Sequence, residues 1–219
     1  MKRLLPVAAL SLVVLSGCAH NPQVAATVAG HDISTHDVDV LTKALCVEQS
    51  QSSQGGPTTL ASLRASALSA LISSDVDADY AKENDLKYSP TTLSAQVGQL
   101  DSLITKLPAK DQDLARSLIS DLLRGQIQLQ QAVVQQIRQA GQQPTQQSVT
   151  QGMQLLEQQH ATKLKTTVNP RYDIGTATES DNGSVSRAVS ADAKDALTVL
   201  RGGTSTSYVS SLPSSQRCG

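Results

Sequence analysis

The stretch LARSLISDLLRGQIQLQQAVV, residues 114–134, decides the fold class. Leu114, Leu118, Leu122, Leu129 and Val133 recur at helical spacing, and Ile119, Leu123, Ile127 and Val134 form a second stripe beside them. Apolar residues three and four apart share one side of an α-helix, so this segment predicts a long helix with a wide apolar face. Gly125 interrupts it at a cost of about 1 kcal/mol relative to alanine, which leaves either a close helix contact or a kink.

The same spacing recurs on both sides. Val38, Leu41 and Leu45 predict a helix ending near Cys46, and Gln49 to Pro57 reads as a loop. Its start is marked by Ser34 and Asp37, a capping-box-like pair, with Ile33 and Val38 at the staple positions. Leu60, Leu63, Ala67 and Leu71, widened by Leu68, Ile72, Val76 and Tyr80, predict a second helix to about Asn84, capped by Thr58 or Thr59. That width implies burial against more than one neighbour. Ser89-Pro90 opens a third helix over Leu93, Val97, Leu100, Ile104 and Leu107, stopped by Pro108. The long helix starts near Asp111. After Gly141 to Pro144, Thr145 caps a last one carrying Val149, Met153, Leu156, His160 and Leu164. The glutamine-dense region 126–159 keeps its apolar spacing, so it reads as helices with a neutral solvated face.

Strand signals are few. Val24 to Gly30 predicts a short strand. Asn169-Pro170-Arg171-Tyr172 reads as extended, Asp181-Asn182-Gly183 as a hairpin turn between 172–177 and 185–189, and 191–200 as a short helix. The fold class expected is mainly α, a bundle of about five helices with a small β element joining Val24–Val28 to the region after Asn169. There is no Phe or Trp and there are four Tyr; a core of Leu, Ile, Val and Ala suits packed helices and offers no platform for stacked bases.

The N-terminus has a basic start (Lys2, Arg3), an apolar run from Leu4 to Leu15 and then Ser16-Gly17-Cys18. This is the layout of a secretory signal, and its apolar run is too short to span a bilayer. Leu15-Ser16-Gly17-Cys18 resembles the lipobox of bacterial lipoproteins. That resemblance implies a signal peptide over 1–17, acyl lipidation at Cys18, a tether over 18–23, and a protein held at the outer face of the cell membrane. Multiple acyl chains give stable anchoring. The processed chain carries 16 basic against 19 acidic side chains, which gives no footprint for nucleic acid.

With Cys18 lipidated, Cys46 and Cys218 remain as a pair in an oxidising compartment, which predicts a disulfide; two free thiols are the alternative. A bridge would tie the tail, 202–219, to the first helix.

No catalytic constellation emerges. The cluster His31-Asp32…His36-Asp37-x-Asp39 has metal-ligand types without the paired histidine spacing of a zinc site, and Asp37 is already accounted for as a cap. His160 lies on an apolar stripe and reads as a hydrogen-bonded core histidine. No nucleophile elbow and no phosphate-binding glycine loop is present. The expectation is a protein that is not an enzyme, with no catalytic residue, no cofactor and no metal ligand set.

Three stretches carry a further resemblance. Val24-Ala25-Ala26-Thr27-Val28-Ala29-Gly30-His31-Asp32-Ile33-Ser34 resembles the opening of SurA- and PrsA-type extracytoplasmic chaperones. Leu71-Ile72…Tyr80-Ala81-Lys82-Glu83-Asn84 resembles their next long helix. Val168-Asn169-Pro170-Arg171-Tyr172 and the ending Leu212-Pro213…Gln216-Arg217-Cys218-Gly219 resemble segments of actinobacterial lipoproteins with a SurA-like N-terminal domain. Ala29 stands where that family usually has Asn, and Asp173 where it often has Gly. No segment resembles a parvulin isomerase domain. The resemblance implies a SurA-like helical domain over 24–201 that binds unfolded or exported polypeptides. The apolar helix faces would form the cradle if they exceed what the core consumes; the alternative is that both stripes of 114–134 are buried. A scaffold recruiting one folded envelope partner is the other function considered.

Overall fold

A computed structural model describes residues 21–51, 58–172 and 206–218. The chain is mainly helical with small antiparallel sheets. The described residues open with a hairpin, β1 (Val24–Val28) and β2 (His31–Ser34), followed by α1 (Thr35–Gln51). The two-residue turn between the strands is Ala29-Gly30, with φ of 49° and 87°. Two positive φ values match the twist of flanking strands, which is why Asn-Gly is favoured in such turns. Ala29 adopts this conformation against the preference of its Cβ. The Ser34–Asp37 capping pair forms: each backbone N–H donates to the other side chain, at 3.1 and 3.0 Å.

A two-residue strand, β3 (Thr58–Thr59), leads into α2 (Leu60–Glu83), with Thr59 accepting from the Ser62 N–H at 3.0 Å. The wide stripe of α2 is buried against several elements, as expected, since the helix packs on α1, on the hairpin and on two later helices. Next come α3 (Pro90–Gln99), α4 (Asp101–Ile104), α5 (Ala109–Gln139) and α6 (Gln146–Ala161). Five of these helices are long. The chain then forms β4 (Thr166–Val168), a 3-10 turn at Pro170–Tyr172, α7 (Thr206–Ser211), a second 3-10 turn, and β5 (Arg217–Cys218).

Strand order in the main sheet is β2-β1-β4, all antiparallel, so the segment after the last long helix returns to pair with the first strand. Ala26 and Val28 of this sheet are buried in one apolar core with Val38, Val40, Leu41, Leu68 and Ile104. Fully burying a side chain such as Leu68 is worth about 1.5–3 kcal/mol.

Several expectations are corrected. Among the described residues, the late strand that joins Val24–Val28 is Thr166–Val168, which lies just before Asn169 rather than after it. Asn169 ends it by donating from its backbone N–H to Ala25 O at 2.8 Å and from its side chain to Val24 O at 3.1 Å. The proline rule restricts only the residue preceding proline; Pro170–Tyr172 are not extended but close a turn through the Tyr172 N–H to Asn169 O bond. α1 runs to Gln51 because no glycine or proline interrupts it before Gly55. The third helix breaks at Leu100 into α3 and α4, which turns Ile104 fully into the core. α6 ends at Ala161, before Leu164. The hairpin expected around 181–183 and the helix expected at 191–200 lie outside the described residues, as do Cys18 and residues 1–17, where a signal peptide is expected. Among the described residues, no helix is long and apolar enough to cross a membrane.

Candidate functional site

The two cysteines come together. Cys46, on α1, and Cys218, on β5, are disulfide-bonded with a Cα–Cα separation of 5.6 Å, within the range such bonds require. β5 pairs with β3, so the tail is fixed by backbone pairing and by the bridge at one point. Cys218 and Val209 are both buried.

The double stripe of α5 packs into the bundle. Ile119, Ile127, Leu129 and Val133 are buried, and Leu114, Leu118, Leu122, Leu123 and Val134 are half-buried. Each stripe is thus partly taken up by the core and none of its residues is exposed, so neither is fully buried and neither stands free as an open apolar face. Among the described residues, Leu155 on α6, 54% exposed, and Tyr88, 37% exposed, are the large apolar side chains facing solvent. What α5 leaves open is a shallow, solvent-open trough of about 570 Å³ along its C-terminal half, bordered by Gln130, Gln131, Val134, Gln135, Arg138 and Gln139, all on this one helix and exposed except for Val134.

Close packing along α5 depends on two glycines. A Cβ on Gly125 would lie 3.0 Å from the Asp77 Cβ on α2, so this glycine serves a close helix contact. A Cβ on Gly152 of α6 would lie 2.5 Å from a Val133 γ-carbon.

The N-terminal cluster of His and Asp residues does not converge. His31 Nδ1 pairs with Asp75 at 2.9 Å, Asp32 accepts from Thr27 at 2.6 Å, Asp37 caps α1, and Asp39 pairs with Arg64 at 3.1 Å. The hydrogen bond to Asp75 holds the His31 pKa above its usual value, while burial raises that of Asp75.

Three aspartates at alternate positions of α2 reach different partners. Asp75 meets His31. Asp77 is buried against Gly125, and burial, helped by Glu157 nearby, pushes its carboxyl up to about 7. Asp79 accepts from His160 Nε2 at 2.9 Å. His160 is 2% exposed, with Tyr80 edge-on to its ring at 5.3 Å, and Glu83 lies 3.9 Å from its other nitrogen. The core histidine expected from the sequence is hydrogen-bonded, as foreseen. Its carboxylate partners were missed, although Asp79 and Glu83 stand four apart and so share a helix face.

At the start of α5, Asp111 is buried and accepts from Lys43 Nζ at 2.7 Å, which holds its carboxyl below the usual range. These groups tie helices together and do not assemble a nucleophile, a base and an oxyanion site in one place.

The chain matches no family model, no curated protein and no solved structure.

Proposed function

We propose that this chain is a lipid-anchored, extracytoplasmic chaperone-like protein that binds unfolded or exported polypeptides without catalysis. The anchor is the lipid on Cys18, at the outer face of the cell membrane, and the fold is a SurA-like helical domain without an isomerase module. The trough on α5 carries the binding part of this reading. Each glutamine side chain there both donates and accepts hydrogen bonds, so the wall can meet a peptide backbone regardless of its sequence. The half-buried Val134 adds a weak apolar floor. Binding of this kind is loose and tolerant, as holding an unfolded chain requires.

The test is light scattering from an aggregating unfolded client with the full chain added at several ratios, its disulfide kept oxidised. Dose-dependent suppression that Val134→Asp weakens supports the reading; no effect at molar excess rejects it.

A second reading, a scaffold that recruits one folded envelope partner, is favoured by the exposure of Leu155 as a single large apolar side chain on an otherwise polar helix face. It predicts one crosslinked partner, lost in Leu155→Ser, and no affinity for unfolded chains.

A further inference from the structure

The buried histidine between α2 and α6 poses a problem of unmatched charge. His160 Nε2 lies 2.9 Å from a carboxylate oxygen of Asp79. An ionised carboxylate only accepts, so Nε2 carries the hydrogen in this bond. Nδ1 is then left over. It is buried, and among the described residues it has no hydrogen-bond partner. It faces Glu83 Oε2 at 3.9 Å. In a neutral ring, two lone-pair acceptors confront each other across that gap. In a protonated ring, the N–H falls well short of a hydrogen bond, which needs about 3 Å. Neither state satisfies a side chain that is 2% exposed, and an unsatisfied buried polar atom costs about 1–3 kcal/mol.

A cation resolves both states. One ligand atom each from Asp79, Glu83 and His160 lies within 4.8 Å of the other two. Zinc-class ions bind imidazole nitrogen and carboxylate oxygen at about 2.0–2.2 Å, so two such ligands sit ~3.4 Å apart in a tetrahedral site. Closing the gap needs about half an ångström of movement. Glu83 can supply it, because its side chain is 60% exposed and not held by packing. Asp79 already makes the second contact characteristic of metal-bound histidines: the non-ligating N–H donates to a carboxylate, which fixes the tautomer and makes the ligating nitrogen more basic.

The geometry points to a divalent-cation site of the zinc class between α2 and α6, with His160 Nδ1 and the Glu83 carboxylate as direct ligands, Asp79 as positioning residue, and water completing the shell. The ion would join a helix of the central bundle to the last long helix. Because imidazole is one of only two protein ligands, the site should prefer Zn²⁺ or Ni²⁺ to Mg²⁺, which favours an all-oxygen shell. The Tyr80 ring packs edge-on against the imidazole, with ring centres 5.3 Å apart.

The experiment is calorimetric titration of ZnCl₂ into the full chain with its disulfide oxidised, alongside ¹⁵N spectra of the histidine rings. One Zn²⁺ per chain is expected, with His160 Nδ1 shifted and no binding of Mg²⁺ at the same concentration. Glu83→Gln, at an exposed position that leaves the fold intact, should weaken binding at least tenfold. Asp79→Asn should weaken it about tenfold through loss of the second-sphere contact, and His31→Gln should leave it unchanged. Absence of stoichiometric binding would overturn the site. So would Zn²⁺ binding that Glu83→Gln leaves intact, since the ion would then sit on other histidines.

Discussion

Gly152 is the position where helix propensity and packing disagree most sharply. Replacing it with alanine in the middle of α6 should gain about 1 kcal/mol if only the backbone mattered. The added Cβ, however, would stand 2.5 Å from one Val133 γ-carbon and 3.4 Å from the other. Val133 is 2% exposed, and a valine in a helix is held in essentially one χ1 rotamer. It cannot turn away, so α6 must move off α5. Overpacking of this kind costs about 1–3 kcal/mol. The net expectation for Gly152→Ala is therefore neutral to destabilising, by up to ~2 kcal/mol, rather than stabilising. The decisive version is a double-mutant cycle. Val133→Ala alone opens a cavity and destabilises; in that background the new methyl of Gly152→Ala fills the space, and the substitution should stabilise by about 1 kcal/mol. Urea denaturation of the four proteins reads the coupling, expected at about 1–3 kcal/mol. If Gly152→Ala stabilises the parent chain by the full propensity gain, or if the two changes add within ~0.5 kcal/mol, the contact inferred between α5 and α6 is wrong.

Three further outcomes are expected. Ala29→Asn, placing a residue that tolerates positive φ where Ala29 has φ of 49°, should stabilise by roughly 0.5–1 kcal/mol without changing function, as measured by denaturant midpoint. Asp77 has its folded-state carboxyl raised to about 7, against 3.8 as the ordinary value. Between those values the folded chain binds more protons than the unfolded one, so this group makes stability fall as pH rises from about 4 to 7. Asp77→Asn should flatten that slope and melt roughly 2–4 °C above the parent at pH 8, the shift that ~1 kcal/mol gives a chain of this size; a melting profile unchanged in slope would refute it. Reduction of the Cys46–Cys218 bond, which spans 172 positions, should lower the melting temperature and expose 206–218 to proteolysis, within a chain-entropy ceiling of about 5 kcal/mol; equal stability of both redox forms would count against the bridge.

The legible parts of this fold were those with local causes. The Ser34–Asp37 pair, the Thr59 and Thr145 caps and the Ser89-Pro90 start each satisfy helix-end N–H groups within three residues, so the sequence alone places them. The stripes of α2 and α5 were readable for the same reason. Contacts between distant segments were less so. Cys46 and Cys218 could be paired because the expected lipidation of Cys18 sets that residue aside, and β1 was expected to find a partner near Asn169 although the register was placed too late. The aspartates of α2 carried a readable but unread pattern: Asp75, Asp77 and Asp79 inside an apolar stripe announce buried or paired carboxylates. Gly152 gave no signal, because its reason lies entirely in a valine on another helix.

The bundle is held in two unequal ways. Around β1, α1, α2, α4 and the first half of α5 the apolar core is extensive, with Val38, Val40, Leu68, Ile104 and Ala115 all fully buried, and the buried Asp111 carboxylate there is paired with Lys43. Where α6 meets α2 and α5, the buried apolar set thins to Ile127, Leu129, Ala132, Val133 and Val149, and polar groups take the rest: Asp77 against Gly125, and His160 between Asp79 and Glu83. Apolar contacts do not titrate, whereas the buried Asp77 carboxyl, raised to about 7, does. The seat of α6 is thus sensitive to pH through Asp77, and it adjoins the half of α5 that carries the trough. Changes at His160 or Asp77 should be read first as changes in how α6 seats, and only then as changes in what the trough binds.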